Sequence, residues 1–132
     1  MDAVRLAGLI RDWAPGAAPK IGMVLGSGLG GFAGRVEEAQ AIPYADLPGF
    51  PRSGVSGHAG ELVLGRIAGA EIAVLSGRAH FYEHGNPREM AVPIATLAAL
   101  GCDTLILTNA AGSLRPEVGP GSVMLIGDHI AF

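Results

Sequence analysis

Three times in this chain a short apolar run halts at a turn of small residues that carry polar groups. Ile21–Leu25 runs into Gly26-Ser27-Gly28-Leu29-Gly30-Gly31, Ile72–Leu75 into Ser76-Gly77-Arg78, and Thr104–Leu107 into Thr108-Asn109-Ala110-Ala111-Gly112-Ser113. Runs of this length bounded by turn residues read as buried strands. Thr104–Leu107, nearly continuous in apolar character, reads as a central strand covered on both faces. Around these runs lie helical and hairpin patterns. Val4, Leu6, Leu9, Ile10 and Trp13 are spaced for an amphipathic helix capped by Asp2 and stopped by Pro15-Gly16. A second helix is expected from Pro87 to about Leu100, with Met90, Ile94, Leu97 and Ala98 on its apolar face and Gly101 as its stop. Val36–Ile42 is a modest strand candidate. Leu62–Ile67 and Glu71–Leu75, joined through Ala68-Gly69-Ala70, read as a hairpin, and Val123–Ile126 as a further buried strand ending at Asp128-His129. The expected fold class is α/β, a mixed, mostly buried sheet flanked by helices.

With 132 residues, 49% hydrophobic and 16% charged, the chain suits one globular domain rather than a disordered segment. Its net charge of −3 argues against general nucleic-acid binding and leaves room for a local anion site. Cys102 is the single cysteine, so no intrachain disulfide is expected; it reads as a small hydrophobe opening the strand Asp103–Leu107. Arg5, Arg11 and Asp12 interrupt any apolar signal core, and no apolar run is long enough to span a bilayer. A cytoplasmic protein without membrane partner, metal or cofactor is the expectation.

The polar residues at the strand ends carry the chemistry. A strand entering a Gly-rich turn and then a short helix brings backbone N–H groups onto an anion, and Ser27 puts a hydroxyl at that turn. No Gly-Lys-Ser/Thr closes the turn, so it is not a Walker loop. Gly26-x-Gly28-x-x-Gly31 has dinucleotide-fingerprint spacing, yet no acidic residue ends a second strand about twenty positions on. A tight turn without ligand remains the competing reading. After Ile72–Leu75 come Arg78, His80, Tyr82 and Glu83. If the strand continues, period-2 alternation puts Arg78, His80 and Tyr82 on one side. A guanidinium fork, an imidazole and a phenol suit an anionic, hydroxyl-bearing ligand; a solvated strand end with a surface ion pair also fits. The stretch from Pro43 to Gly57 is a long Pro- and Gly-rich loop of the kind that is functional or mobile. His58 follows in Gly57-His58-Ala59-Gly60, where small neighbours permit close backbone approach. His84 reads as exposed.

Gly26-Ser27-Gly28-Leu29-Gly30, Gly57-His58-Ala59-Gly60, Gly77-Arg78-Ala79-His80-Phe81-Tyr82-Glu83 and Thr108-Asn109-Ala110-Ala111-Gly112, in this order and at these intervals, resemble the purine nucleoside phosphorylases. The chain is similar to the N-terminal half of the trimeric class of that family, from about Ile21 through His129. The resemblance implies phosphorolysis of a purine nucleoside by inorganic phosphate, giving free base and ribose 1-phosphate in nucleoside salvage. It implies phosphate binding by Ser27, Arg78 and His80 through their side chains and by the backbone N–H of Ala110. It also implies His58 beside the phosphate, Tyr82 on the ribose and a catalytic role for His80. Inorganic phosphate would be a co-substrate rather than a cofactor, and the full-length protein a homotrimer. Family members are about twice this length and read the purine with residues of their C-terminal half, so residues 1–132 are expected to be the N-terminal portion of one domain with no base-binding residue. Glu83 and Asp128 are carboxylates near the motifs, expected to pair ions or cap loops. Two alternatives are a methylthioadenosine phosphorylase, which typically has Thr where Ser27 stands, and a non-catalytic phosphate- or nucleoside-binding fragment.

Overall fold

The computed structural model describes residues 2–52, 60–80 and 85–130. Helix α1 (Ala3–Trp13) precedes strand β1 (Ile21–Val24), a 3-10 segment over Gly30–Arg35 and strand β2 (Glu37–Pro43). A 3-10 turn over Tyr44–Asp46, strands β3 (Glu61–Ile67) and β4 (Ala70–Ser76), helix α2 (Ala91–Leu100) and strand β5 (Thr104–Leu107) complete the order. Among the described residues these strands form one five-stranded sheet in the order β2-β3-β4-β1-β5. β2, β3 and β4 are antiparallel neighbours, whereas β4, β1 and β5 run parallel. The expected mixed α/β class is the observed one.

Strand alternation divides the core into two faces. Val24, Leu62, Leu64, Ala73 and Leu75 meet Leu6, Ala7 and Ile10 of α1 and Leu97 and Leu100 of α2. Leu25, Val63, Ile72 and Val74 point the other way, where Phe32 and Ala33 of the 3-10 segment pack on them. β4 is covered on both sides, so its run Ile72-Ala73-Val74-Leu75 is apolar at every position rather than at alternate ones. Full burial of a Val or Leu side chain contributes about 1.5–3 kcal/mol, which makes β4 the anchor of the sheet. α1 is capped by the Asp2 carboxylate, which accepts the Arg5 N–H at 2.9 Å. Its buried stripe is Leu6, Ala7 and Ile10, narrower than the spacing predicts: Val4 and Trp13 are 73% and 53% exposed.

Several expectations are corrected. Thr104–Leu107 is a strand, but at the sheet's edge, with all four residues exposed. β1 takes the hydrogen bonds of one side, and no strand among the described residues takes those of the other. Val123–Ile126 is not a strand; Val123 and Leu125 are 98% and 95% exposed. An apolar run becomes a strand only where a neighbouring backbone takes its hydrogen bonds, and among the described residues none does. α2 starts at Ala91 rather than Pro87, because residues 87–90 form turns in which Asn86 Oδ1 accepts the Arg88 N–H at 3.0 Å. Pro93 instead occupies the first helical turn, where a missing N–H is tolerated, and is buried there. Ala98 is exposed, and Pro93, Thr96, Leu97 and Leu100 form the buried face; the Thr96 hydroxyl is satisfied by the Val92 carbonyl at 2.8 Å. Gly101 does stop the helix, in the left-handed region with φ 109°. β2 is shifted to Glu37–Pro43. The long loop after it is packed at its start: Tyr44, Leu47, Phe50 and Pro51 are buried, with Tyr44 and Phe50 edge-to-face at 5.0 Å.

Candidate anion site at three parallel strand ends

The parallel trio places its C-terminal ends side by side. β1 pairs with β4 through Val24↔Leu75 and with β5 through Val24↔Leu107, so Gly26-Ser27, Gly77-Arg78 and Thr108-Asn109-Ala110 all emerge at one end of the sheet. Ligand sites of open α/β sheets lie at such an edge because the turns present unpaired backbone groups there. The Leu25 N–H still bonds the Leu75 carbonyl at 3.1 Å and the Thr108 N–H the Val24 carbonyl at 3.1 Å, so both ladders persist up to the turns.

Thr108 joins the three ends. Its hydroxyl accepts the Gly26 N–H at 2.9 Å and donates to the Val24 carbonyl at 2.8 Å. Its carbonyl accepts from Arg78 Nη1 at 3.3 Å. Gly26 has to be glycine here: a Cβ would lie 2.5 Å from the Thr108 carbonyl oxygen and 2.7 Å from Asn109 Cα. Arg78 is half-buried, and its Nε is buried with no hydrogen-bond partner among the described residues. A buried guanidinium N–H calls for an acceptor. With one nitrogen held by Thr108, the remaining edge can take an anionic oxygen in fork geometry.

On the other flank, Gly77 turns the chain out of β4 with φ +117°. That turn ends the strand at Ser76, so the period-2 argument relating Arg78, His80 and Tyr82 does not hold; Arg78 and His80 follow on irregular backbone. The Tyr44 hydroxyl donates to the Gly77 carbonyl at 2.8 Å. Gly60 packs against the Tyr44 ring, where a Cβ would overlap the ring carbons, and its Cα lies 3.1 Å from where a Gly77 Cβ would be. Burial pushes the Tyr44 phenol above its ordinary range, keeping it a neutral donor.

Ser27 and Ala110 are exposed at the turns of β1 and β5, and His80 is half-buried after Arg78. Asn109 steadies its turn through Nδ2, which donates to the Ala110 carbonyl at 3.2 Å. His58, Tyr82, Glu83 and His84 lie outside the described residues. Asp128 accepts the His129 N–H at 2.8 Å on an exposed segment, a local turn contact. Cys102 is half-buried, with its thiol pushed up to about 11, mainly by desolvation and further by Asp103. Among the described residues no helix is long and apolar enough to cross a membrane, and no group of His, Cys, Asp and Glu could hold a metal ion. A cavity of about 390 Å³ between Gly49–Arg52 and Asn86–Val92 is lined by none of the three strand ends.

Two contributors escape sequence reasoning. Thr108 stands in plain view as the first polar residue after an apolar run, but its role depends on β5 lying beside β1. Tyr44 sits in a loop, and the only trace of its role is the smallness of Gly60 and Gly77, far apart in the chain.

Residues 20–132 match the family model described as the phosphorylase superfamily. The chain is 48% identical over 113 residues to purine nucleoside phosphorylase 1 of Geobacillus stearothermophilus, covering 86% of this chain and 41% of that one. It is 44% identical over 128 residues to purine nucleoside phosphorylase 1 of Bacillus subtilis, covering 97% and 47%. A crystal structure of isoform 2 of the Schistosoma mansoni purine nucleoside phosphorylase, in complex with cytosine and ribose-1-phosphate, superposes with a TM-score of 0.78 at 38% identity, covering 89% of this chain and 41% of that one. The chain thus spans less than half the length of these relatives.

Proposed function

The chain belongs to the phosphorylase superfamily and is similar to the N-terminal part of purine nucleoside phosphorylases, and on that premise we propose that it is the phosphate-binding portion of an enzyme that phosphorolyses a purine (deoxy)ribonucleoside. The observation that carries this reading is the adjacency of the β4, β1 and β5 ends, with Arg78 bonded to Thr108 across them. Crystal structures of related phosphorylases hold ribose-1-phosphate, inosine and hypoxanthine, the classes of product and substrate such a reaction needs.

In this reading Ser27 and Arg78 hold phosphate oxygens from β1 and β4, and the Ala110 N–H closes on it from β5. His80 donates to the same anion as the candidate catalytic residue, His58 lies beside it, and Tyr82 meets the ribose. A phosphate oxygen attacks C1′ while the bond from C1′ to the purine nitrogen breaks. The bonding pair leaves on the purine, which takes up a proton, and the products are free base and (deoxy)ribose 1-phosphate. Positive charge builds at C1′ in the transition state. A phosphate fixed below that carbon is both the nucleophile and the charge that stabilises it, and several donors are needed to aim it. The purine-binding residues belong to parts of the family that this chain does not span, and residues 1–132 alone are expected to turn over slowly or not at all. A homotrimer in the cytoplasm is the assembly and location proposed for the whole protein.

The test is isothermal titration of residues 1–132 with phosphate. Arg78→Ala should weaken binding by about 1.5–3 kcal/mol, the scale of a charge-assisted hydrogen bond. Phosphate affinity unchanged in Arg78→Ala, or no binding by the unaltered chain, would overturn the assignment. Coupled detection of hypoxanthine from inosine, in a chain extended to family length, tests the reaction itself.

A further inference from the structure

The structure assigns Thr108 as the positioning residue that fixes the separation of the glycine turn and Arg78; as a statement about phosphate, this rests on the reading above. Four hydrogen bonds meet at this residue. The Thr108 N–H and hydroxyl both reach the Val24 carbonyl, at 3.1 and 2.8 Å, the hydroxyl oxygen accepts the Gly26 N–H at 2.9 Å, and the carbonyl receives Arg78 Nη1 at 3.3 Å. Three strand ends are thereby referred to one set of atoms.

The hydroxyl does what a ladder bond cannot. After Val24 the regular ladder ends while the two backbones stay close, since a Gly26 Cβ would lie 2.5 Å from the Thr108 carbonyl oxygen. The Gly26 N–H is met there by the Thr108 hydroxyl rather than by a backbone carbonyl, which makes it a fixed donor. Ser27 follows directly, so the direction of its hydroxyl depends on where Gly26 is held. The carbonyl of the same residue fixes one nitrogen of the guanidinium, leaving the buried Nε available to a ligand oxygen. Thr108 touches no reacting atom in this scheme; it acts through Gly26 and Arg78. A β-branched residue also suits the site, because its restricted χ1 keeps the hydroxyl on its two partners.

Thr108→Val retains shape and removes the hydroxyl, whereas Thr108→Ser retains the hydroxyl and removes the methyl. Two readouts on residues 1–132 separate the inference from the reading beneath it. The first is hydrogen exchange at the Gly26 amide, which needs no ligand. It should be protected in the unaltered chain and in Thr108→Ser and exchange at least tenfold faster in Thr108→Val. The second is phosphate titration, in which Thr108→Val should bind about tenfold more weakly, the upper range of one neutral hydrogen bond, with Thr108→Ser within about threefold of the original. Circular dichroism and a thermal melt show whether the valine variant is folded. If it is not, the serine variant still decides: Gly26 exchange accelerated in a folded Thr108→Ser chain overturns the assignment. Equal Gly26 exchange in the valine variant and the unaltered chain overturns it also. Protection that follows the hydroxyl, with no phosphate binding by any form, upholds the clamp and sinks the phosphate reading instead.

Discussion

Replacing Gly26 by alanine tests the geometry of the strand ends without any ligand. The added methyl would lie 2.5 Å from the Thr108 carbonyl oxygen, 2.7 Å from Asn109 Cα and 3.0 Å from the Thr108 carbonyl carbon. All three atoms are backbone, so no rotamer change can make room. The ends of β1 and β5 must part, which stretches the bond from the Gly26 N–H to the Thr108 hydroxyl at 2.9 Å and the bond from the Thr108 N–H to the Val24 carbonyl at 3.1 Å. Overpacking of this kind costs about 1–3 kcal/mol and each of the two weakened hydrogen bonds about 1 kcal/mol, giving about 3–5 kcal/mol in all. Two glycines of the same turn are internal controls. Gly28 has φ +81° with nothing within 4 Å, so Gly28→Ala meets only the left-handed backbone penalty of about 1–2 kcal/mol. Gly30 has open space around it and no left-handed φ, so Gly30→Ala should stay within about 0.5 kcal/mol of the original. Urea unfolding followed by circular dichroism, at constant m-value, measures the order Gly26→Ala > Gly28→Ala > Gly30→Ala. A Gly26→Ala chain as stable as Gly30→Ala would refute the close approach of β1 and β5 on which the site rests.

Tyr44→Phe removes the donor to the Gly77 carbonyl at 2.8 Å and should cost about 1–2 kcal/mol in the same urea assay. Burial raises the folded Tyr44 phenol above its ordinary value of 10.0, so its contribution is full below pH 10 and is lost as pH rises further; a stability profile of Tyr44→Phe should lack that part of the alkaline decline. Cys102, raised from 9.0 to about 11, should react with iodoacetamide at pH 8 more slowly in the folded chain than in urea, and its contribution to stability should fade between pH 9 and 11, a loss absent from Cys102→Ala. Leu125, 95% exposed in an apolar segment, should promote self-association, so Leu125→Lys should lower light scattering at equal concentration without shifting the thermal midpoint.

What the sequence reveals depends on which physical constraint writes each residue. β4 is legible because cover on both faces demands an unbroken apolar run, and Ile72–Leu75 is one. Thr104–Leu107 looks the same as a string, yet among the described residues it is an edge strand; strand order is set by pairings between distant residues and leaves no mark within the run itself. Val123–Ile126 shows the limit of the rule, since apolar character without a partner backbone gives no strand. Pro87 and Pro93 are both compatible with a helix start, and the choice between them is made by the Asn86 turn. The turn residues Gly26, Ser27, Arg78 and Ala110 are legible as candidates because they follow apolar runs directly. The adjacency of their strand ends is not, because it requires β1 to lie between β4 and β5.

That central place of β1 explains why the candidate site is where it is. Among the described strands, β1 is the one with a parallel neighbour on each side, so its C-terminal turn alone has a like-directed strand end on either hand. A glycine-rich turn there is flanked by Arg78 and Ala110 without a long loop to reach it. The two walls are held unequally. Gly77 is fixed by a buried Tyr44, itself packed on Phe50 beside a strand covered on both faces. The opposite wall hangs on β5, whose side chains are exposed and whose backbone is tied to β1 by a short ladder and the Thr108 contacts. An anion spanning both walls, as proposed, would bind the native seam and not the parted one, and by mass action would stabilise the β1–β5 junction more than any other part of the sheet. The lightly held wall is the one proposed to contribute the Ala110 N–H, so in that proposal ligand binding and edge-strand order would be a single equilibrium seen from two sides.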